Sequence, residues 1–157
     1  MDNLVQFLRD RLDEDSRIAV DTESATEEGL HWYEHQRMPG DGRWTLIDEY
    51  DEDVAEVNCS VAGDAAVARH IARHDPTRVL REVEAKKEQL AAYTTAVDQA
   101  EEAILLCKQS LADGKSMFMP EARRMTALHR RDVLHEVLHL LALPYADHPD
   151  YRQEWRP

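Results

Sequence analysis

Glycine is scarce in this chain, with five residues in 157. A sandwich or barrel spends glycine on its many turns, so the shortage, together with abundant Ala, Leu, Glu and Arg, favours helices. Cysteine is scarcer still. Cys59 and Cys107 are the only two, and they stand in no CxxC or other ligand spacing. That excludes a disulfide scaffold, and both thiols are expected in the core. No stretch approaches the ~18 consecutive apolar residues of a membrane helix. The opening Met1-Asp2-Asn3-Leu4-Val5 is acidic and does not read as a signal peptide. Positive charge is in the minority, with 19 Lys and Arg against 32 Asp and Glu and a formal net charge of -13. Residues 1–60 hold 17 of those acids and 5 of those bases, a net of -12, and residues 61–157 hold 15 and 14, a net of -1. Such a field repels nucleic acid and anionic membranes and suits a basic protein partner or plain solubility. These absences together predict a reduced, soluble, cytoplasmic protein.

What is present is helical. Hydrophobic residues make up 43% of the chain, enough for one domain with a real core over residues 1–157. The organising stretch begins at Asp75-Pro76, an N-cap followed by proline at the first helical position. Behind it Val83, Leu90, Val97, Ile104 and Leu111 recur every seven residues. Val79, Tyr93, Ala100 and Cys107 fill a second seam position, which Lys86 interrupts. This heptad stripe predicts one long helix, roughly 57 Å in length, that offers a seam to a partner helix. Ala112 to Ser116 reads as its cap and turn. Pro120 opens a last helix that runs to Leu143-Pro144, so the fold class is mainly α, built on a long antiparallel helical hairpin over residues 76–143.

The flanking parts are smaller. Leu4, Phe7, Leu8, Leu12 and Ile18 share one face of an N-terminal helix ending near Asp21-Thr22. Glu23 to Arg37 reads either as a second helix or as an acidic connector. Arg43–Ile47 and Val54–Val57 predict a two-stranded β-hairpin anchored by Trp44, with an acidic tip at Asp51-Glu52-Asp53. A short helix carries Val67, Ala68 and Ile71 to the corner at His74-Asp75-Pro76. Residues 1–62 thus form an acidic N-terminal part, 63–143 the helical core, and 144–157 an extended tail pinned by Tyr145, Tyr151 and Trp155.

Eight histidines carry most of the candidate chemistry. Three pairs lie four residues apart: His31/His35, His70/His74 and His135/His139. On a helix such a pair shares a face and can present two imidazoles to one metal ion. His135-Glu136-Val137-Leu138-His139 matches HExxH, the zinc-hydrolase signature in which Glu136 would activate a water as the catalytic residue. It lacks the downstream third ligand of that signature. Its histidines also fall on the side of the wheel opposite Leu134, Val137, Leu138 and Leu141, so a solvated surface pair is the plainer reading. His70 and His74 flank Val67 and Ile71 and are expected to border the interior. There His148, Asp147 or Asp150 would complete a metal set, with a polar helix junction at His74-Asp75 as the plainer reading. Asp48, Glu49 and Asp51–Asp53 lack the glycine and spacing of a calcium loop. Arg123, Arg124, Arg130 and Arg131 form a basic strip that can pair with the acidic N-terminal part, within a chain or between chains.

Two segments carry a resemblance. His70-Ile-Ala-Arg-His-Asp-Pro-Thr-Arg-Val-Leu-Arg-Glu-Val-Glu-Ala-Lys86 and Leu141-Ala-Leu-Pro-Tyr-Ala-Asp-His-Pro-Asp-Tyr-Arg-Gln-Glu-Trp155 resemble an uncharacterised actinobacterial family, a domain of unknown function common in streptomycetes. Residues Leu4–Asp15 fit it too. The resemblance implies no activity. In its pattern arginine is more usual than histidine at the place of His139, whereas His70, His74, Asp75, Asp147 and His148 belong to the shared motifs. The expected function is therefore a non-enzymatic interaction or regulatory protein that forms homo-oligomers through the long helix, with no cofactor. A zinc protein is the alternative, and an acidic mimic of nucleic acid a third possibility.

Overall fold

The computed structural model describes residues 3–26, 29–36, 38, 43–58 and 65–157. Four helices and three strands follow in the order α1 (Asn3–Thr26), β1 (Trp32–His35), β2 (Arg43–Asp48), β3 (Asp53–Asn58), α2 (Ala66–Arg73), α3 (Pro76–Ala112) and α4 (Phe118–Ala142). Short 3-10 turns at Leu143–Tyr145 and Gln153–Trp155 end the chain. The fold is mainly helical, as its composition requires. No helix is long and apolar enough to cross a membrane, among the described residues. The chain divides into two compact units, one made of the first turns of α1 up to Arg11 with Ala85–Pro157, the other of Leu12–Glu84.

In the second unit the sheet has three antiparallel strands in the order β1-β2-β3, not the two of a lone hairpin. The extra strand, Trp-Tyr-Glu-His, lies in the segment read as a helix or connector. Four residues are too few to show a period, and pairing with β2 decides their state, Trp32 against Asp48 and His35 against Thr45. Leu46 of β2 is buried with Ala68 and Ala72 of α2, and Trp32, Trp44, Val57 and Ile71 close around them. Alanines on α2 let the helix lie close to the sheet. The β2–β3 turn places Asp51 at φ 64°, a left-handed conformation that Asp tolerates because its short polar side chain can bond locally.

Both ends of α3 follow local chemistry. The Asp75 carboxylate accepts the Arg78 amide at 2.7 Å, three residues on, as an N-cap does. Gly114 ends the helix at φ 64°. There the Gly114 amide reaches the Leu111 carbonyl at 3.2 Å and the Lys115 amide reaches that of Ser110 at 2.9 Å, closing a Schellman turn.

In the first unit the seam of α3 differs from the expected one. Leu90, Tyr93, Ala100 and Cys107 are buried as predicted, but beyond Tyr93 the companions are Ala96, Ala103 and Ser110, with Val97 and Ile104 half-buried beside them. Leu111 is instead among the exposed large hydrophobics. Small side chains win the inner positions because they let helices approach closely. Contacts from α3 to α4 run in opposite order along the two helices: Cys107 to Glu121, Glu102 to Arg123, and Tyr93 to His135. Helix α4 starts at Phe118, two residues before Pro120, whose missing amide is still one of the unpaired donors of the first turn. Helix α1 likewise runs past Asp21-Thr22 to Thr26.

The tail is not extended. It folds through its two 3-10 turns and stacks its aromatic rings on α1 of the same unit. Phe7 meets Trp155 at 4.9 Å between ring centroids, Tyr151 at 6.1 Å and Tyr145 at 6.2 Å. Cys59 lies outside the described residues, and Cys107 is a buried free thiol.

Candidate functional site

The corner before α3 is built around Asp75. Its side chain is buried and serves three donors at once. Besides capping Arg78, it accepts the Trp32 amide at 3.3 Å and faces His31 Nδ1 at 2.5 Å. The Thr77 amide adds a bond to the Leu30 carbonyl at 3.2 Å. His31 stands next to a strand, so the His31/His35 spacing puts no pair on a helix face. A carboxylate inside the fold needs such donors, since an unpaired buried charge is costly. Asp75 therefore acts as a polar junction tying β1 to the start of α3.

His70 and His74 do form a pair, with ring centroids 4.6 Å apart, but both are exposed rather than bordering the interior. Ala68 and Ala72 take the buried face of α2. Beside His74 an open, mostly apolar cleft of about 310 Å³ is lined by Ile18, Ala19, Trp32, Pro76 and Val79. His148 belongs to the other compact unit, and there its Nε2 lies 2.6 Å from Arg11 Nη1. The Asp150 amide lies 3.1 Å from His148 Nδ1, so both ring nitrogens already face protein groups. Asp147 and Asp150 are exposed.

The HEVLH histidines are half-buried, with exposed Glu136 between them. This reverses their expected place on the solvent side, because the inner face of α4 is centred on Leu138 and Ala142 rather than on Leu134 and Val137. His135 stacks at 5.6 Å from the Tyr93 ring, and the two imidazoles sit 4.9 Å apart. His139 Nδ1 lies 2.7 Å from the Trp155 carbonyl, which can only accept. The proton is therefore on Nδ1 and the Nε2 lone pair is left for another partner, as in many metal-ligating histidines. Among the described residues, no group of three or more His, Cys, Asp or Glu is arranged to hold a metal ion.

The acidic hairpin tip is occupied by its own backbone. Asp48 is buried and accepts the amides of Gly29 at 2.7 Å, Tyr50 at 2.8 Å and Glu52 at 3.0 Å. Burial pushes its carboxyl up, but the amides of Gly29, Glu52 and Tyr50 outweigh that and hold it below the ordinary aspartate value. Composition alone does not mark this residue among its acidic neighbours; only the converging amides do.

Glu121, also missed in the sequence, joins α3 to α4. The Arg124 guanidinium beside it holds its carboxyl below the usual range against a smaller effect of burial, and the Cys107 thiol adds a contact at 3.8 Å. A buried thiol in this setting is a packing group rather than an exposed nucleophile.

The larger open cleft, about 490 Å³, lies where the tail meets α1 and is lined by Gln6, Phe7, Asp10, Tyr151, Arg152 and Trp155. Its residues come from the first turns of α1 and from the tail. No curated protein and no solved structure matches the chain. A family model does match, over residues 1–157, and by it the chain belongs to DUF6221, a family of unknown function.

Proposed function

We propose that this is a non-enzymatic, cytoplasmic interaction protein with a regulatory role, which associates with itself through its long helical pair. One observation carries the reading. Large apolar side chains stand in solvent on α3 and α4 and around their connecting turn: Phe118 is 78% exposed, Met119 70%, Leu111 69% and Met125 60%. Grouped apolar exposure of this kind is the mark of an interaction surface. The seam of α3 that suggested self-association is filled within the chain, so the contact shifts to the outer side of the pair. Light scattering on the full chain over a range of micromolar concentrations tests the reading. A concentration-dependent rise in mass is expected, and a constant monomer mass would sink it.

The His139–Trp155 bond favours a second reading, a zinc-binding protein with His135 and His139 as ligands and, as a hydrolase, Glu136 as base. It is supported by the free Nε2 and the helical spacing. Zinc titration of untagged protein by calorimetry tests it. Binding of one zinc per chain that is lost in His139→Ala is expected, and equal binding by wild type and variant would remove it.

A further inference from the structure

The later turns of α1 leave part of an apolar face uncovered. Asp15, Ile18, Ala19 and Thr22 stand at the i, i+3, i+4, i+7 spacing of one helical face. Leu12 and Ala19 are 1% and 4% exposed, yet Ile18, which the sequence places with the buried row, stays at 61%. Beside it opens the cleft of about 310 Å³, which lies wholly within the unit Leu12–Glu84.

The walls of this cleft are fixed by the fold. The Trp32 indole donates from Nε1 to the Gly29 carbonyl at 3.1 Å, and its amide is held by Asp75 at 3.3 Å. Pro76 locks the backbone where α3 begins, and Val79 follows one turn later, half-buried. Walls held in this way keep a space open, and its volume is at the small end of the range for small-molecule sites.

Its charge is one-sided. Among the described residues that line it, Asp15 is the one side chain of fixed charge, and it only accepts hydrogen bonds. The Thr22 hydroxyl donates to the Ala19 carbonyl at 2.7 Å, so it offers acceptor capacity alone to anything else. The start of α3 would favour an anion, but the Asp75 carboxylate already holds that place. Leu12–Glu84 carries 19 Asp and Glu against 7 Arg, a net of -12, a field that draws cations. Trp32 adds an aromatic wall, and the face of an indole is the strongest side-chain π partner for a cation.

We propose that this cleft binds a small organic ammonium. A ring-sized apolar body lies against Ile18, Trp32, Pro76 and Val79, and the charged nitrogen sits at the Asp15 edge. The site is complete within one chain, so it stands or falls independently of self-association.

Calorimetry on the full chain tests it at about pH 8, where an ordinary imidazole is neutral. The probes are phenethylammonium, phenethyl alcohol and hydrocinnamate, which share a ring and differ in the charge of the head. Phenethylammonium is expected to bind about tenfold tighter than the alcohol, and hydrocinnamate more weakly than either. The indole N–H signal that disappears in Trp32→Phe is expected to shift when phenethylammonium is added to wild type. Asp15→Asn is expected to cost the ammonium about tenfold and to leave the alcohol unchanged. Ile18→Lys, at an exposed position, places a rival ammonium at the rim and is expected to abolish binding of phenethylammonium, with circular dichroism as the control for folding. Equal affinity for the ammonium and the alcohol would overturn the proposal, as would tightest binding of hydrocinnamate. So would the failure of every probe to bind at millimolar concentration, or ammonium binding that survives both Asp15→Asn and Ile18→Lys.

Discussion

His31 Nδ1 lies 2.5 Å from Asp75 Oδ2, joining the residue before the first strand to the cap of the longest helix across 44 positions of sequence. A single buried carboxylate thus sets both where α3 begins and where β1 lies. Asp75→Ala removes the helix cap and leaves the Trp32 and Arg78 amides without their acceptor. The expected loss is about 2–3 kcal/mol in urea denaturation, above the ~1 kcal/mol of an ordinary cap. Asp75→Asn, which can still accept one amide, should lose less. Equal, negligible losses for both would show that the junction adds nothing.

Asp48 makes stability depend on pH in a defined direction. Its folded carboxyl titrates below its unfolded one, so the folded state holds fewer protons in the interval between them. The contribution is present above the unfolded value, about pH 4, and is lost as pH falls through the lower folded value. Thermal melts of wild type should therefore drop as pH falls below about 4, and Asp48→Asn should flatten that part of the curve. A wild-type and Asp48→Asn pair with parallel curves would contradict the assignment.

The two faces of α4 should respond oppositely to the same change. Leu138 is fully buried and Leu140 is 55% exposed. Leu138→Ala should cost ~2–5 kcal/mol of stability, from lost transfer energy and the cavity left behind. Leu140→Ala should cost within ~0.5 kcal/mol in the monomer, as surface substitutions do. Chemical denaturation of both variants at low protein concentration checks the contrast.

The tail is part of the fold rather than an appendage. Trp155 is buried and rests against Phe7 and Tyr151. Trp155→Ala should destabilise the protein by ~3–5 kcal/mol, with Phe7→Ala similar and the two far from additive. Near-additive losses would mean that the rings do not pack as one cluster.

Much of this was legible in the residues. Asp75-Pro76 and Gly114 mark the ends of α3 through local rules that need no tertiary context, a cap oxygen at one end and a left-handed glycine at the other. The apolar spacing of Leu4, Leu8 and Leu12 marks the buried face of α1 in the same way. Hidden from it were features that depend on what lies opposite. The short strand Trp32–His35 becomes a strand only because β2 offers it a ladder. Val83 and Leu90 keep their expected places, but beyond Tyr93 one edge of the α3 seam turns by one position, with Ala96 and Ala103 buried and Val97 and Ile104 half-buried. Asp48 looks like any other acid of the hairpin until three amides converge on it.

The sequence by itself determined the helical class, the long helix and both of its ends, the acidity of the first sixty residues and the membership of the family. These follow from backbone propensity, capping and charge, which act over a few residues. Only the tertiary structure decided which histidines point inward, which apolar row of α4 is left in solvent, and that Asp75 binds His31. Those depend on the packing of distant segments, and a periodic pattern cannot say which of its two faces a neighbour will cover.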